Sequence, residues 1–455
     1  MKKLSLVFLV LFGVSKLFAQ MTWEDISKAK EKSDKEITDE KKKTKAKTWV
    51  NRGEVYLEMA QVNTRGLYAG MTQTGFTGAE VLVGKPSKKE TKEDGSEVWV
   101  YERVNLIFRD GLLDSWDETQ PMDAKALDKS YEAFFEAFKL EEKLKTKKTV
   151  GEKMIILRSL FVQRGITHYG KKEYNEALHY LEGSVEINQV PTVKTDITYD
   201  EKQIVYYCGV VSELAKNYEK AKKYYQKAIN NGTEGGKSYI YLSNVQKATG
   251  DSATALQTLK TGFEKYPSDQ NVLIELINFY LVKNEMNLAL DYLNKAIERD
   301  RSNPQYYFAQ GTLYDRMSTD KTLKATDAQK EEYKNKAISA YEQAIKLDDK
   351  MFNAYYNLGA LYYNNAAKVI EMAQNIPPKE TAKYDAEMAK AEGEFKKSLP
   401  YMEKASQLND KDMSTLQTLE TVYKKLKMYD KAKIVKAKIE ELQTAPQNTD
   451  PMKKN

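Results

Sequence analysis

Cys208 and two histidines, His168 and His179, are the whole supply of thiol and imidazole in this 455-residue sequence. A single cysteine excludes an internal disulfide framework and any multi-cysteine zinc site. The histidines stand eleven residues apart with no acidic or thiol cluster beside them, which suits packing better than metal ligation. Cys208 sits between Tyr207 and Gly209 in an apolar stretch, which predicts a buried thiol rather than a nucleophile. Gly84–Lys85–Pro86 lacks the glycines and the Ser/Thr that a phosphate-cradling loop requires, and neither an HExxH helix nor a GxSxG turn occurs. The paired carboxylates Asp348–Asp349 close a helical stretch and are expected in solvent. The expectation is a non-enzymatic chain without catalytic residues, cofactor or metal.

The elements that would carry any function are helices with an internal period. A small residue, a bulky one four later and a small one three after that recur as Ala221–Tyr225–Ala228, Ala255–Leu259–Gly262, Ala289–Leu293–Ala296, Ala337–Tyr341–Ala344 and Ser398–Met402–Ala405. The first three are spaced by 34 residues, and Ser398 to Ala432 is again 34. A second motif precedes these: Gly311 with Tyr314, and Leu358–Gly359 with Tyr362. Trp49, Gly53 and Tyr56 repeat it near the N-terminus. Small residues at Gly311, Gly359, Ala228 and Ala296 let paired helices approach closely, while bulky residues fill the adjacent holes. One pair cannot bury its own apolar stripe, so pairs must stack.

Motif and period together resemble the tetratricopeptide-repeat family over most of residues 158–443, with a degenerate unit at 49–140; Pro267 lies where that family places a terminating proline. The resemblance implies an all-α fold, a right-handed α-α superhelix of helix pairs. Departures are Ile277 and Glu420 in place of the first-helix glycine, and Lys436 in place of the bulky second-helix residue. In this family certain first-helix positions face a concave groove; they fall here on Tyr206, Asn244, Asn278, Phe308, Tyr356 and Tyr363. The family's carboxylate clamp wants lysine where Ile240 and Ile274 stand, so a groove of another chemistry is expected.

Insertions break the period. Ala289 to Ala337 spans 48 residues and Ala337 to Ser398 spans 61. The second excess reads as two lengthened helices meeting at Pro377–Pro378, an extended hairpin over about 362–398. The largest insertion, about 62–120, is rich in β-formers at Val98–Tyr101 and Val104–Leu113. Asp94–Gly95 is a hairpin-turn signal between a stretch near Val81–Val83 and Val98–Tyr101, which predicts a two- or three-stranded sheet. Gly70–Met71–Thr72, Gly84–Lys85–Pro86, Trp99, Tyr101, Phe108 and Asp110–Gly111 resemble, in order, small outer-membrane assembly lipoproteins of the SmpA/OmlA kind, without the lipidated cysteine.

Lys2 and Lys3 ahead of the apolar run Leu4–Val14, ending at Ala19, have the layout of a cleavable secretory leader. The expected organisation is a signal peptide at 1–19, an N-terminal unit at 20–150, a repeat array at 151–443 and a flexible tail at 444–455. The mature chain is expected to be exported, periplasmic or peripheral to the outer membrane, with no transmembrane span and no lipid anchor. Removing the leader lowers the net charge from +6 to +3, and only nine of the 72 basic residues are arginine. That balance fits a solvated helical surface and argues against a nucleic-acid partner. The expected function is a protein-interaction scaffold of the cell envelope that holds a protein or peptide segment in its groove. The alternative is a glycan- or peptidoglycan-binding module that uses exposed tyrosines.

Overall fold

The computed structural model describes residues 22–67, 70–73 and 85–444. The leader, the strand expected near Val81–Val83, Gly84 and the tail beyond Thr444 lie outside the described residues. Among those residues there are 17 helices and one sheet of four strands. In chain order they are α1 (Trp23–Thr38), α2 (Ala46–Gln61), β1 (Lys88–Thr91), β2 (Glu97–Val100), β3 (Val104–Arg109), β4 (Leu112–Glu118), α3 (Ala126–Leu140), α4 (Leu144–Gly170), α5 (Tyr174–Asn188), α6 (Glu201–Leu214), α7 (Tyr218–Asn230), α8 (Gly236–Ala248) and α9 (Ser252–Lys265). There follow α10 (Gln270–Val282), α11 (Met286–Arg299), α12 (Pro304–Thr319), α13 (Asp327–Leu347), α14 (Phe352–Gln374), α15 (Thr381–Leu408), α16 (Met413–Lys425) and α17 (Tyr429–Thr444). The chain forms two compact units, one ending at Ala255 and one beginning at Leu256.

In the first unit α2 packs on α3, α4 on α5 and α6 on α7. Each pair is closed by a small residue under a bulky one. A Cβ on Gly53 would lie 2.6 Å from the Phe134 ring, one on Gly165 2.9 Å from Leu181, and one on Gly209 2.8 Å from the Tyr225 ring. Two second-helix motifs escaped the sequence reading: Ser130–Phe134–Ala137 in α3 and Ala177–Leu181–Ser184 in α5, all buried. Serine replaces alanine at one end of each. In α3 the hydroxyl of Ser130 donates to the carbonyl of Gly53 at 2.8 Å, so the polar atom is satisfied within the core.

Several pair turns reverse direction through a residue with positive φ: Lys172 (63°), Lys216 (59°), Gly250 (85°), Asn284 (58°) and Lys427 (59°). This is the left-handed helix-terminating conformation that glycine adopts most cheaply.

The sheet is an antiparallel meander in the order β1-β2-β3-β4, one strand more than expected. The turn at Gly95 (φ 78°) is present, but the strand it pairs with β2 is Lys88–Thr91. Asp110 (φ 51°) and Gly111 (φ 75°) make the two-residue turn between β3 and β4, where both central residues need positive φ. Trp99, Tyr101, Val104, Leu106, Phe108 and Leu113 form the sheet's own apolar cluster, separate from the helical core around Tyr56, Phe134, Leu157 and Phe161. Polar ties join sheet to helices: Glu118 accepts from Asn63 at 2.8 Å and from Arg164 at 3.1 Å.

In the second unit α10 pairs with α11, α12 with α13, α14 with α15 and α16 with α17. Gly311 lies under the Tyr341 ring and Gly359 under Met402. Ser398 donates to the Gly359 carbonyl at 2.7 Å, the same contact that Ser130 makes with Gly53. The 48-residue spacing is absorbed by a 21-residue α13, started by a capping box between Thr326 and Gln329. The 61-residue spacing gives α14 its 23 residues and α15 its 28, joined through Pro377–Pro378. Ala366 and Phe395 of this hairpin are buried together with Val422 of α16, so the hairpin's base packs on the next pair as well as on itself.

Candidate protein-interaction surface

Cys208 and His168 are taken up in packing, while His179 is exposed. Cys208 is fully buried among Val205, Val211 and Tyr224, and burial pushes its thiol far above the ordinary range. His168 stacks on Tyr180 with centroids 5.4 Å apart, and its Nδ1 lies 2.5 Å from Glu173. His179 meets the same ring edge-on and pairs with Asp128 at 2.7 Å. Among the described residues no group of three His, Cys, Asp or Glu is placed to hold a metal ion.

Of the six groove positions read from the sequence, Tyr206 is a correction. It is 3% exposed, and its ring lies 5.7 Å from Tyr207 and 6.1 Å from Tyr225. Burial pushes its hydroxyl well above the usual tyrosine range. Packing from the neighbouring helix consumes this ring, so it offers no surface. Asn244 is half-buried on α8.

The remaining four belong to the second unit. Asn278 is exposed on α10, one turn beyond Ile274, which is 51% exposed. Phe308 is half-buried on α12, 6.0 Å from Tyr341, and Tyr356 stacks on Phe352 at 6.0 Å while packing towards Met402 and Leu419. Tyr363 lies 5.8 Å from Phe395 of the extended hairpin. These rings therefore have packing duties that repeat position alone did not reveal. Tyr341 of α13 packs on Phe308, while the lengthened α15 and the following α16 bring apolar side chains against Tyr356 and Tyr363.

What faces solvent on these helices is largely polar. α12, α14 and α16 touch in succession. Thr312 and Arg316 on α12, Asn353 and Asn364 on α14, and Gln417 on α16 are exposed. Tyr341 of α13 places its hydroxyl 3.4 Å from Thr312 Oγ1 and 3.4 Å from Asn357 Nδ2, with the tyrosine pKa pushed up to about 12, chiefly by burial. Amides and hydroxyls above half-buried rings can hold a peptide backbone while leaving apolar side chains a place to rest. Sequence reasoning did not single out Thr312, one residue after Gly311, or Asn364, five after Gly359, because the two hold different repeat positions and share no motif.

Helix pairs closed by a small residue under a bulky one define an α-helical repeat protein. The chain carries tetratricopeptide repeats: residues 329–365, across α13 and the first half of α14, match the family described as TPR repeat, and residues 209–231 match tetratricopeptide repeat. It is similar to the TPR repeat-containing protein MJ1428 of Methanocaldococcus jannaschii, 23% identical over 319 residues covering 67% of this chain and 47% of that protein. The chain thus spans about half the length of that relative. Among solved structures it is similar to a TPR repeats protein from Bacteroides fragilis (20% identity, 58% of this chain, 97% of that one, TM-score 0.30). It is also similar to the C-terminal part of a TPR repeat-containing protein from Cytophaga hutchinsonii (14% identity, 63% and 95%, TM-score 0.39). Tetratricopeptide-repeat proteins are generally protein-interaction scaffolds, typically non-enzymatic, that bind protein or peptide partners. No helix among the described residues is long and apolar enough to cross a membrane.

Proposed function

We propose that this chain is a non-enzymatic scaffold of the cell envelope that holds an extended segment of a partner protein against the first helices of its second unit. The observation that carries the reading is the face made by α12 and α14, where exposed Thr312 stands one turn from half-buried Phe308, exposed Asn353 one turn from half-buried Tyr356, and exposed Asn364 two turns beyond it. Export follows from the leader-like sequence at residues 1–19. The glycan alternative loses ground because Tyr384 and Tyr429 are the exposed tyrosines among the described residues, at 41% and 64%, and they belong to different helix pairs.

Site-specific photo-crosslinking tests the surface. A photoreactive residue at Thr312 or Asn364 of the full chain should give a discrete partner adduct in envelope extracts, while one at exposed Lys346 on α13 should not. Adducts of equal yield from all three positions, or from Lys346 alone, would reject this face.

A further inference from the structure

The repeats can be compared with one another at the residue four places after each first-helix glycine. After Gly209 this is Glu213, after Gly311 it is Asp315, and after Gly359 it is Tyr363. Glu213 and Asp315 face the bulky second-helix tyrosine of their pairs, whereas Tyr363 packs on Phe395. In the α6–α7 pair Tyr225 donates its hydroxyl to Glu213 at 2.7 Å, so that carboxylate is satisfied internally. In the α12–α13 pair the equivalent Tyr341 turns its hydroxyl to Thr312 and Asn357. Asp315 is left half-buried with neither a hydrogen bond nor an ion pair to its carboxylate, and its carboxyl is pushed above the ordinary value by desolvation alone. Every other carboxylate with a displaced pKa among the described residues is held low by a hydrogen bond and, in several cases, a nearby lysine or arginine.

A half-buried carboxylate without a counter-charge is unfavourable in the free protein and becomes favourable when a cation reaches it. Phe308, Thr312 and Asp315 stand at i, i+4 and i+7 on one face of α12, so the carboxylate shares that face with an aromatic ring and an exposed threonine whose hydroxyl donates to the Phe308 carbonyl at 3.0 Å. The ring suits the methylene stem of a long basic side chain, and the carboxylate suits its head. We infer that Asp315 receives a lysine or arginine side chain of the extended segment laid across α12 and α14. This rests on the groove reading above and adds the chemistry of the partner: a basic residue at one fixed position of the bound segment.

The test is selection of a displayed random 12-residue peptide library on the full chain, followed by affinity measurements with the selected peptides. Lysine or arginine should be enriched at one position. Asp315→Asn should weaken the selected peptide roughly tenfold, while an analogue with norleucine at that position binds wild type and variant alike. Thr312→Lys, at an exposed site three residues away, should supply the cation from within and remove the basic preference. Peptides that crosslink at Thr312 without a basic preference, or that ignore Asp315→Asn, overturn this inference and leave the groove standing. Absence of any selected peptide that crosslinks at Thr312 overturns both.

Discussion

Gly311 lies so close beneath the ring of Tyr341 that a Cβ there would stand 2.7 Å from the ring carbons. The contact is the unit of construction in both halves of the chain, repeated as Gly53 with Phe134, Gly209 with Tyr225 and Gly359 with Met402. Tyr341 is fully buried and fixed at its hydroxyl, so it has no room to retreat. Gly311→Ala should therefore destabilise the second unit by roughly 2 kcal/mol, the usual scale of overpacking, despite alanine's better helix propensity. Urea unfolding followed by helical circular dichroism measures this. An unchanged or raised midpoint would show that the pair can open at no cost.

Arg158 is the most deeply buried charge described, 1% exposed, with Asn188 at 2.5 Å, an ion pair to Asp196 and the Tyr199 ring 4.2 Å from its guanidinium carbon. Asp196 belongs to the connection between α5 and α6, whose Ile197 is 96% exposed. Asp196→Ala should cost about 3 kcal/mol, because it strands a charge inside the core, and should hasten proteolytic cutting near Ile197. Limited proteolysis with mass spectrometry reads the cut. Resistance equal to wild type would mean that the connection is held by its apolar residues alone.

Because burial raises the Asp315 carboxyl above its ordinary 3.8, the folded chain binds that proton more tightly than the unfolded chain does. Stability from this group is full below the unfolded pKa and is lost as pH rises through the folded one. Asp315→Asn should accordingly raise the melting temperature at pH 7 by about 2 °C, with the gain vanishing towards pH 4. Differential scanning calorimetry of both proteins across that range checks the sign. A destabilised variant at pH 7 would reveal a hidden partner for the carboxylate.

The sheet has its own apolar cluster, so replacing residues 66–119 by a short glycine–serine linker should leave the helix pairs from α6 onward folded. The expected result is retained helical circular dichroism with loss of the Trp99 and Trp116 fluorescence. Collapse of all helicity would place the sheet in a shared core.

The proposed export predicts that mass spectrometry of the protein recovered from its native cells gives a chain beginning at or near Gln20. An intact Met1 would reject the export reading.

Helix pairing was legible because close packing forces small residues into fixed register: Gly209, Gly311 and Gly359 mark their helices without ambiguity. The motif in α3 was not, because the inserted sheet puts Ser130 77 residues beyond Gly53, so no regular period leads to it. β1 was invisible for a different reason. Lys88–Thr91 is an edge strand with charged side chains and no apolar alternation. The proposed binding face was only partly readable. Repeat register singled out Phe308, Tyr356 and Tyr363, but the packing of Tyr363 on Phe395 depends on an insertion outside the repeat. Asp315 carried a readable signal, an acid at the register where the next repeat has tyrosine, yet its lack of a partner follows from which way the Tyr341 hydroxyl turns.

Arrays of identical repeats are prone to pairing one period out of step, since every helix fits the wrong neighbour as well as the right one. Here α13 has 21 residues, α14 has 23 and α15 has 28, while α10, α11 and α16 have 13 or 14. A slipped α15 would overhang a short partner and leave Phe395 facing water instead of Tyr363 and Val422. Unequal lengths thus work as an address for α13, α14 and α15, and make exchange or duplication of those repeats self-defeating.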